Sequence, residues 1–343
     1  MSRPRAGRTS RGRRILVING IALLVAVLVI VGAGLRFERD KHPVSAPQAS
    51  GQSTRQAAAA DAPRPAPPPS YPPLKYLGVY VPTSPGTYSG MTSFANLTGR
   101  WPNIAVYYSS WWEPFQADFA KSARTHGAIP MVQVEPHHIS LAVIAAGGYD
   151  RYLKSYARAV RRFGSPVIIA FGHEMNANWY GWGYQHTAPA TFIKAWRHVH
   201  DVFTATGARN VIWLWAVNVV GGRQVTAINQ WWPGDAYVTW AGIDGHYFSA
   251  SVRFPQLYGG TLGAVHRLTR KPVLVAEVGI APYVPAERIA DVFSGAQAHG
   301  MIGVVWFDVT GHNIRVENHP AALSAFRKAV AAYERLPVAS PGG

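Results

Sequence analysis

The segment Ser165-Pro166-Val167-Ile168-Ile169-Ala170-Phe171-Gly172-His173-Glu174-Met175-Asn176 runs a short apolar, β-branched stretch directly into a histidine, a carboxylate and an amide. A run of that length, bounded by Pro on one side and Gly on the other, reads as a buried strand whose C-terminal tip delivers polar groups. The flat rings of Trp179-Tyr180-Gly181-Trp182 follow at once. A second run of the same kind, Lys271-Pro272-Val273-Leu274-Val275-Ala276, ends in Glu277-Val278-Gly279, 103 residues after Glu174.

Working outward from these two runs, the same pattern recurs. Strands are expected at Tyr76–Val81, Ile104–Tyr108, Ile129–Val134, Val167–Phe171, Val211–Trp215, Gly242–Tyr247, Val273–Glu277 and Gly303–Phe307. Amphipathic stretches lie between them: Pro114–His126, Tyr149–Phe163, Ala188–Thr206, Phe254–Arg270 in part, Pro285–His299 and a last one near Pro320–Arg335. Continuously apolar strands alternating with helices imply a parallel sheet covered by helices. Eight repeats in about 260 residues imply closure into an α/β fold of the (β/α)8 TIM-barrel type. No Gly-x-Gly-x-x-Gly turn follows the first strand, where Gly78-Val79-Tyr80-Val81-Pro82 continues instead, so a dinucleotide-binding fold loses its main support.

The chain before residue 75 has a different composition. Residues 1–14 hold six arginines and no acid, and read as a basic cytoplasmic tail. Residues 15–35 are almost unbroken apolar sequence, long enough to span a bilayer as a signal anchor; a cleaved signal ending near Val31-Gly32-Ala33 is the competing reading. Residues 36–74 are rich in Pro and Ala and read as an extended linker, since they cannot bury enough apolar area to offset chain entropy. The folded domain is expected over 75–336, with 337–343 as a tail. Its expected location is outside the cytoplasm, held to the membrane by a single pass, or secreted if the signal is cut.

The 343-residue chain carries a net charge of +16, which resembles a nucleic-acid signal. From Lys75 onward there are 22 Lys and Arg against 14 Asp and Glu, and the basic residues are dispersed. Arg158, Arg161 and Arg162 fit a solvated helix face, so no nucleic-acid partner is expected. There is no cysteine, which removes thiol nucleophiles, cysteine-ligated metals and disulfides. A monomer is expected.

In a barrel of this kind, working residues sit at the C-terminal ends of strands. Those positions hold Glu135-Pro136-His137-His138, His173-Glu174, Asn218, Asp244-Gly245-His246-Tyr247, Glu277 and Trp306-Phe307-Asp308. Two carboxylates converging over one pocket are what glycosidic bond cleavage requires: one acid to protonate the leaving oxygen, one carboxylate to attack or to activate water. A hydroxyl donor such as Tyr247 could keep the second of them ionised. Glu135 and His137 fit the wall of a sugar cleft better than a metal site, because their spacing lacks a helical i, i+4 pair and a fourth ligand. Neither a metal nor a cofactor is expected. Trp179, Trp182 and Trp306 lie where a pyranose could stack.

The segment FGHEMNANWYGWG, with HYF at 246–248, AEVG at 276–279 and Trp306, resembles glycoside hydrolase family 26 over roughly residues 75–335. The family comprises retaining (β/α)8 enzymes known mostly as β-mannanases, with some β-1,3-xylanases and mixed-linkage β-glucanases. The resemblance implies Glu174 as acid/base, Glu277 as nucleophile, His173 as a contact to the sugar, Trp179 as aromatic neighbour of the acid, Tyr247 as the nucleophile's hydrogen-bond partner and Trp306 as a floor under the reactive ring. Asn176 and Trp182 join the expected substrate contacts. Ala177 stands where glycine is common and Gly181 where proline is common. The implied partner is a β-linked polysaccharide, of mannan type first, with a β-glucan, a β-xylan or the cell's own exopolysaccharide as alternatives. A non-catalytic carbohydrate-binding protein is the alternative of another class, though two unpaired carboxylates in one pocket give a binder nothing.

Overall fold

The computed structural model describes residues 75–331, apart from 223 and 312. Eight strands form a closed, all-parallel barrel in chain order: β1 (Tyr76–Tyr80), β2 (Ile104–Ser110), β3 (Ile129–Glu135), β4 (Val167–Phe171), β5 (Val211–Asn218), β6 (Trp240–Tyr247), β7 (Val273–Ile280) and β8 (Gly303–Phe307). The closing pair runs from Tyr76 beside Gly303 to Tyr80 beside Phe307. Each expected strand coincides with an observed one. β5 and β7 continue three residues further toward the mouth than expected, carrying Asn218 and Gly279 with them.

The helices are α1 (Ser89–Thr98), α2 (Ala117–Thr125), α3 (Leu141–Ala145), α4 (Asp150–Phe163), α5 (Pro189–Ala205), α6 (Phe254–Leu268), α7 (Arg288–Ala298) and α8 (Pro320–Ala331). α4 shows how the sequence makes one. Leu153, Tyr156, Ala157 and Val160 bury a single stripe at helical spacing, and Gly164 closes the helix at φ 73°, a left-handed turn that suits glycine. α1 and α3 have no counterpart in the expected helices; α1 has no side-chain N-cap, so its start signal is weak. Among the described residues, the short 3₁₀ turns Ile228–Trp231 and Asp235–Tyr237 lie between β5 and β6.

The core divides in two by strand parity. Inside the barrel lie Tyr80, Ile104, Val106, Met131, Ile168, Ala170, Leu214, Ala216, Leu274, Ala276 and Val305; the alternate residues pack outward under the helices. β7 departs from this alternation. Its register against β6 jumps from Ile243–Val275 to Asp244–Glu277, and against β8 it spends three residues, Val275 to Val278, where β8 spends two. This is a β-bulge, and it turns Glu277 to the inside directly after the inward Ala276.

Among the described residues no helix is long and apolar enough to cross a membrane. The tail at 1–14, the anchor at 15–35, the linker at 36–74 and the tail at 337–343 lie outside the described residues.

Candidate active site

The chain leaves β4 through Gly172 at φ 57°, where a Cβ would come within 3.2 Å of both Phe192 and Trp182. Glu174 follows at φ 54°, a left-handed conformation that costs a non-glycine residue about 1–3 kcal/mol. The Glu174 amide still donates to Ala216 O at 2.9 Å, so the β4–β5 ladder holds the strained residue in place. Its carboxyl accepts from Asn218 Nδ2 at 2.6 Å on one oxygen and from Trp179 Nε1 at 2.7 Å on the other. Burial raises the Glu174 pKa, the Glu277 charge adds to the rise, and His173, Asn218 and Trp179 offset only part of it.

Glu277 is equally enclosed and behaves in the opposite way. His246 Nε2 lies 2.9 Å from Oε1, and the Tyr108 hydroxyl, arriving from β2, donates to Oε2. Burial pushes this carboxyl up, but the His246 hydrogen bond and charge, the Tyr108 hydrogen bond and the His173 charge outweigh it and hold the group below its ordinary value. The Tyr108 phenol is pushed well up by burial and by Glu277, so it stays a neutral donor. Asp244 is fully buried on β6, its carboxyl oxygens have no hydrogen-bond partner among the described residues, and burial and both glutamates drive it well above the usual carboxylate range. The site therefore combines one carboxyl held below its ordinary value, Glu277, with two pushed above it, Glu174 and Asp244.

His173, at the β4 tip, is buried, with Nε2 3.2 Å from the Tyr180 hydroxyl and 4.0 Å from Glu135 Oε1. Glu135 ends β3 and lies 3.5 Å from His137 Nε2, which is 38% exposed. Among the described residues no group of three His, Cys, Asp or Glu side chains is disposed to hold a metal ion.

Four expected contacts to substrate fall elsewhere. Tyr247 alternates outward from β6 and donates to Asp291 Oδ2 at 3.3 Å; His246, the inward neighbour, and Tyr108 hold the Glu277 carboxylate instead. Trp306 likewise alternates outward on β8, is fully buried, packs edge-on to Phe326 of α8 and donates to Asp308 Oδ1 at 3.2 Å, so it cannot floor a sugar; Phe307, its inward neighbour, occupies the mouth beside Tyr80 and Tyr108. Trp182 is buried under Tyr180, with ring centroids 4.3 Å apart, and donates to the His173 carbonyl at 2.8 Å, which makes it a support for the β4 tip rather than a face for a pyranose. Asn176 is fully buried and exchanges two 2.8 Å hydrogen bonds with the Asn218 backbone, aligning the side chain that holds Glu174.

Tyr108, His246, Asn218 and Tyr180 are the residues that the sequence reading underweighted. A signal existed for two of them. Counting inward positions by two from Ile104 reaches Tyr108, and from Asp244 reaches His246.

The sequence pattern of Glycosyl hydrolase family 26 matches residues 150–282, the stretch that carries both glutamates. Endoglucanase H of Acetivibrio thermocellus is 28% identical over 274 residues, which cover 75% of this chain and 30% of that protein. The Vibrio sp. Beta-1,3-xylanase TXYA is 26% identical over 107 residues, 31% of this chain and 22% of that protein. The chain thus spans less than a third of the length of these two curated relatives. Among solved structures, a double mutant of the Cellulomonas fimi endo-beta-1,4-mannanase superposes with a TM-score of 0.62 at 17% identity, over 76% of this chain and 71% of that one. The catalytic domain of the Bacillus sp. JAMB-750 GH26 endo-beta-1,4-mannanase does so with a TM-score of 0.60 at 16% identity, over 78% and 89%. Those structural likenesses establish a shared barrel, and the matched segment makes this chain similar to glycosyl hydrolase family 26 over the residues that carry both glutamates.

Proposed function

We propose that the barrel is a retaining O-glycosyl hydrolase that cleaves β-linked polysaccharide internally, with Glu174 as acid/base and Glu277 as nucleophile. The carrying observation is the different company of two carboxyls in one site: Glu174 accepts from the neutral Asn218 and Trp179, while Glu277 accepts from Tyr108 and faces His246, so that one is raised and the other lowered. Such a split is what assigns the two roles in glycosidases.

The steps follow from that split. The Glu277 carboxylate attacks the anomeric carbon as Glu174 gives its proton to the departing glycosidic oxygen; the C–O bond breaks and a glycosyl ester forms on Glu277. Esterification removes the Glu277 charge, and with it a force that kept Glu174 protonated. Glu174, now a carboxylate between Trp179 and Asn218, takes a proton from water, which attacks the same carbon and frees Glu277. His173, Glu135 and His137 supply polar contacts at the lip of the cleft, and Trp179 presents the edge of its ring beside the acid.

A mannan-type chain is the first substrate to test, supported by the barrels of the mannanases described above. A β-glucan is the second reading, because the relative of greater sequence identity is named an endoglucanase. Tethering of the domain outside the membrane by residues 15–35 remains part of the proposal, checked by membrane fractionation and protease accessibility in intact cells. For the chemistry, the protein is incubated with mannan, β-1,3-xylan, mixed-linkage β-glucan and host exopolysaccharide, and product anomers are followed by NMR. A β-anomer formed first supports retention. Release of the α-anomer first, or activity in Glu277→Ala equal to wild type, overturns it.

A further inference from the structure

His246 carries more than a hydrogen bond. Its Nε2 faces Glu277 Oε1 at 2.9 Å and its Nδ1 faces Asn313 Oδ1 at 3.1 Å, so both ring nitrogens point at oxygens that accept. A neutral imidazole has one N–H and can satisfy only one such partner; an imidazolium satisfies both. Asn313 is itself buried, and it is placed by the absence of a side chain on β7. A Cβ on Gly279 would stand 2.5 Å from Asn313 Oδ1. The ring is lined with Phe248 at 6.0 Å and 23° and meets Phe307 edge-on at 5.8 Å, a π-rich surround that tolerates a cation.

We propose that His246 is a positively charged positioning residue for Glu277: an imidazolium held between Asn313 and the nucleophile, which keeps that carboxylate ionised and aimed and so sets the acid limit of the reaction. This deepens the glycosidase reading and rests on it for its kinetic consequence. The groups that act on the ring come from several elements. Glu277 faces it from β7 and Glu174 acts on it from β4, Asn313 reaches it from the β8–α8 connection, and Tyr108 of β2 completes the far side of Glu277. Burial works against the charge, yet the Glu277 hydrogen bond and charge, the Asn313 bond and the Glu174 charge leave the ring easier to protonate than a free histidine. Forming the glycosyl ester removes the anion that His246 faces; hydrolysis restores it. The imidazolium thus favours departure of Glu277 from the ester, the second half of the reaction.

The test has two arms. In the first, the full chain is labelled with ¹⁵N-histidine, and the imidazole resonance lost in His246→Gln is followed from pH 5 to 9. Both nitrogens should be protonated at pH 7, and the Glu277→Gln variant should lower the titration midpoint by about one unit or more. A single neutral tautomer at pH 7, or a midpoint indifferent to Glu277→Gln, overturns the proposal whether or not the chain hydrolyses anything. In the second, kcat/KM is measured against pH on the polysaccharide that the wild type cleaves. His246→Gln retains a neutral donor, and it should move the acid limb upward by about one unit. Gly279→Ala and Asn313→Ala should shift it less and in the same direction. A uniform loss at every pH, with the acid limb fixed, would mean that His246 is merely structural. Absence of cleavage by the wild type on every polymer counts against the glycosidase reading, and the NMR arm then decides the charge alone.

Discussion

The tips of β4 and β7 carry the same side chain in opposite settings. Both carboxyls are enclosed, and burial is the largest influence on each. At β4 the carboxyl meets neutral donors, an amide and an indole, across from a second anion. At β7 it meets a phenol and an imidazole that the Glu277 contact itself makes easier to protonate. Depth in the protein therefore does not decide which glutamate is raised and which is lowered; the donors and charges around each do. The backbone differs as well. Glu174 is aimed by a left-handed residue at the end of a regular strand, Glu277 by a bulge within one.

The contrast makes predictions of decreasing size. Removal of the β7 carboxyl in Glu277→Ala should lower kcat by on the order of 10⁴-fold or more, as measured by reducing-end release. Glu174→Gln should cost about 10²–10⁴ on polysaccharide and much less on an aryl glycoside whose leaving group needs no proton, a difference that separates acid from nucleophile. Activity against pH should be bell-shaped. Its acid limb follows Glu277 below the ordinary glutamate value and its alkaline limb follows Glu174 above it. Trp179→Phe removes a donor that favours the Glu174 anion, so its alkaline limb should move up; Tyr108→Phe removes one that favours the Glu277 anion, so its acid limb should move up too. Opposite movements in these two variants would break the comparison.

A smaller effect concerns the connection that carries Asn313. Asp308, buried after β8, accepts from Trp306 Nε1 at 3.2 Å and Val316 N at 2.9 Å, and burial together with neighbouring Glu317 raises its pKa to about 8. A carboxyl raised on folding contributes stability that is complete below its unfolded pKa and is lost as pH rises toward 8. Thermal melts should show the melting temperature falling over about pH 4–8, and Asp308→Asn should flatten that fall. Smallest of all, Tyr247→Phe should leave kcat/KM within about twofold and cost about 1 kcal/mol in chemical denaturation, since it deletes only a 3.3 Å bond to Asp291.

The eight strands, the carboxylates at two of their tips and the barrel class were legible from short apolar runs ended by Gly, Pro and polar residues. Burial on both faces of a parallel strand writes itself as continuous hydrophobicity, and that is a local property. Most of the shell around the glutamates was not legible. Tyr247 and Trp306 are one residue away from His246 and Phe307, and in a strand one residue is the difference between the mouth and the helix layer. Asn176 and Trp182 sit within the most suggestive motif of the chain, yet both act on the backbone that supports the site.

Sequence alone determined which residues end the strands, Glu174 and Glu277 among them, because strand position follows from local apolar patterning. Tertiary structure alone decided which way each points and what it meets. The bulge at Glu277 breaks the twofold count, and Tyr108 reaches that carboxylate across 169 residues of chain. The charge state of each glutamate depends on partners brought together only when the barrel closes, since an electrostatic environment is set by distance in space and not by distance along the chain.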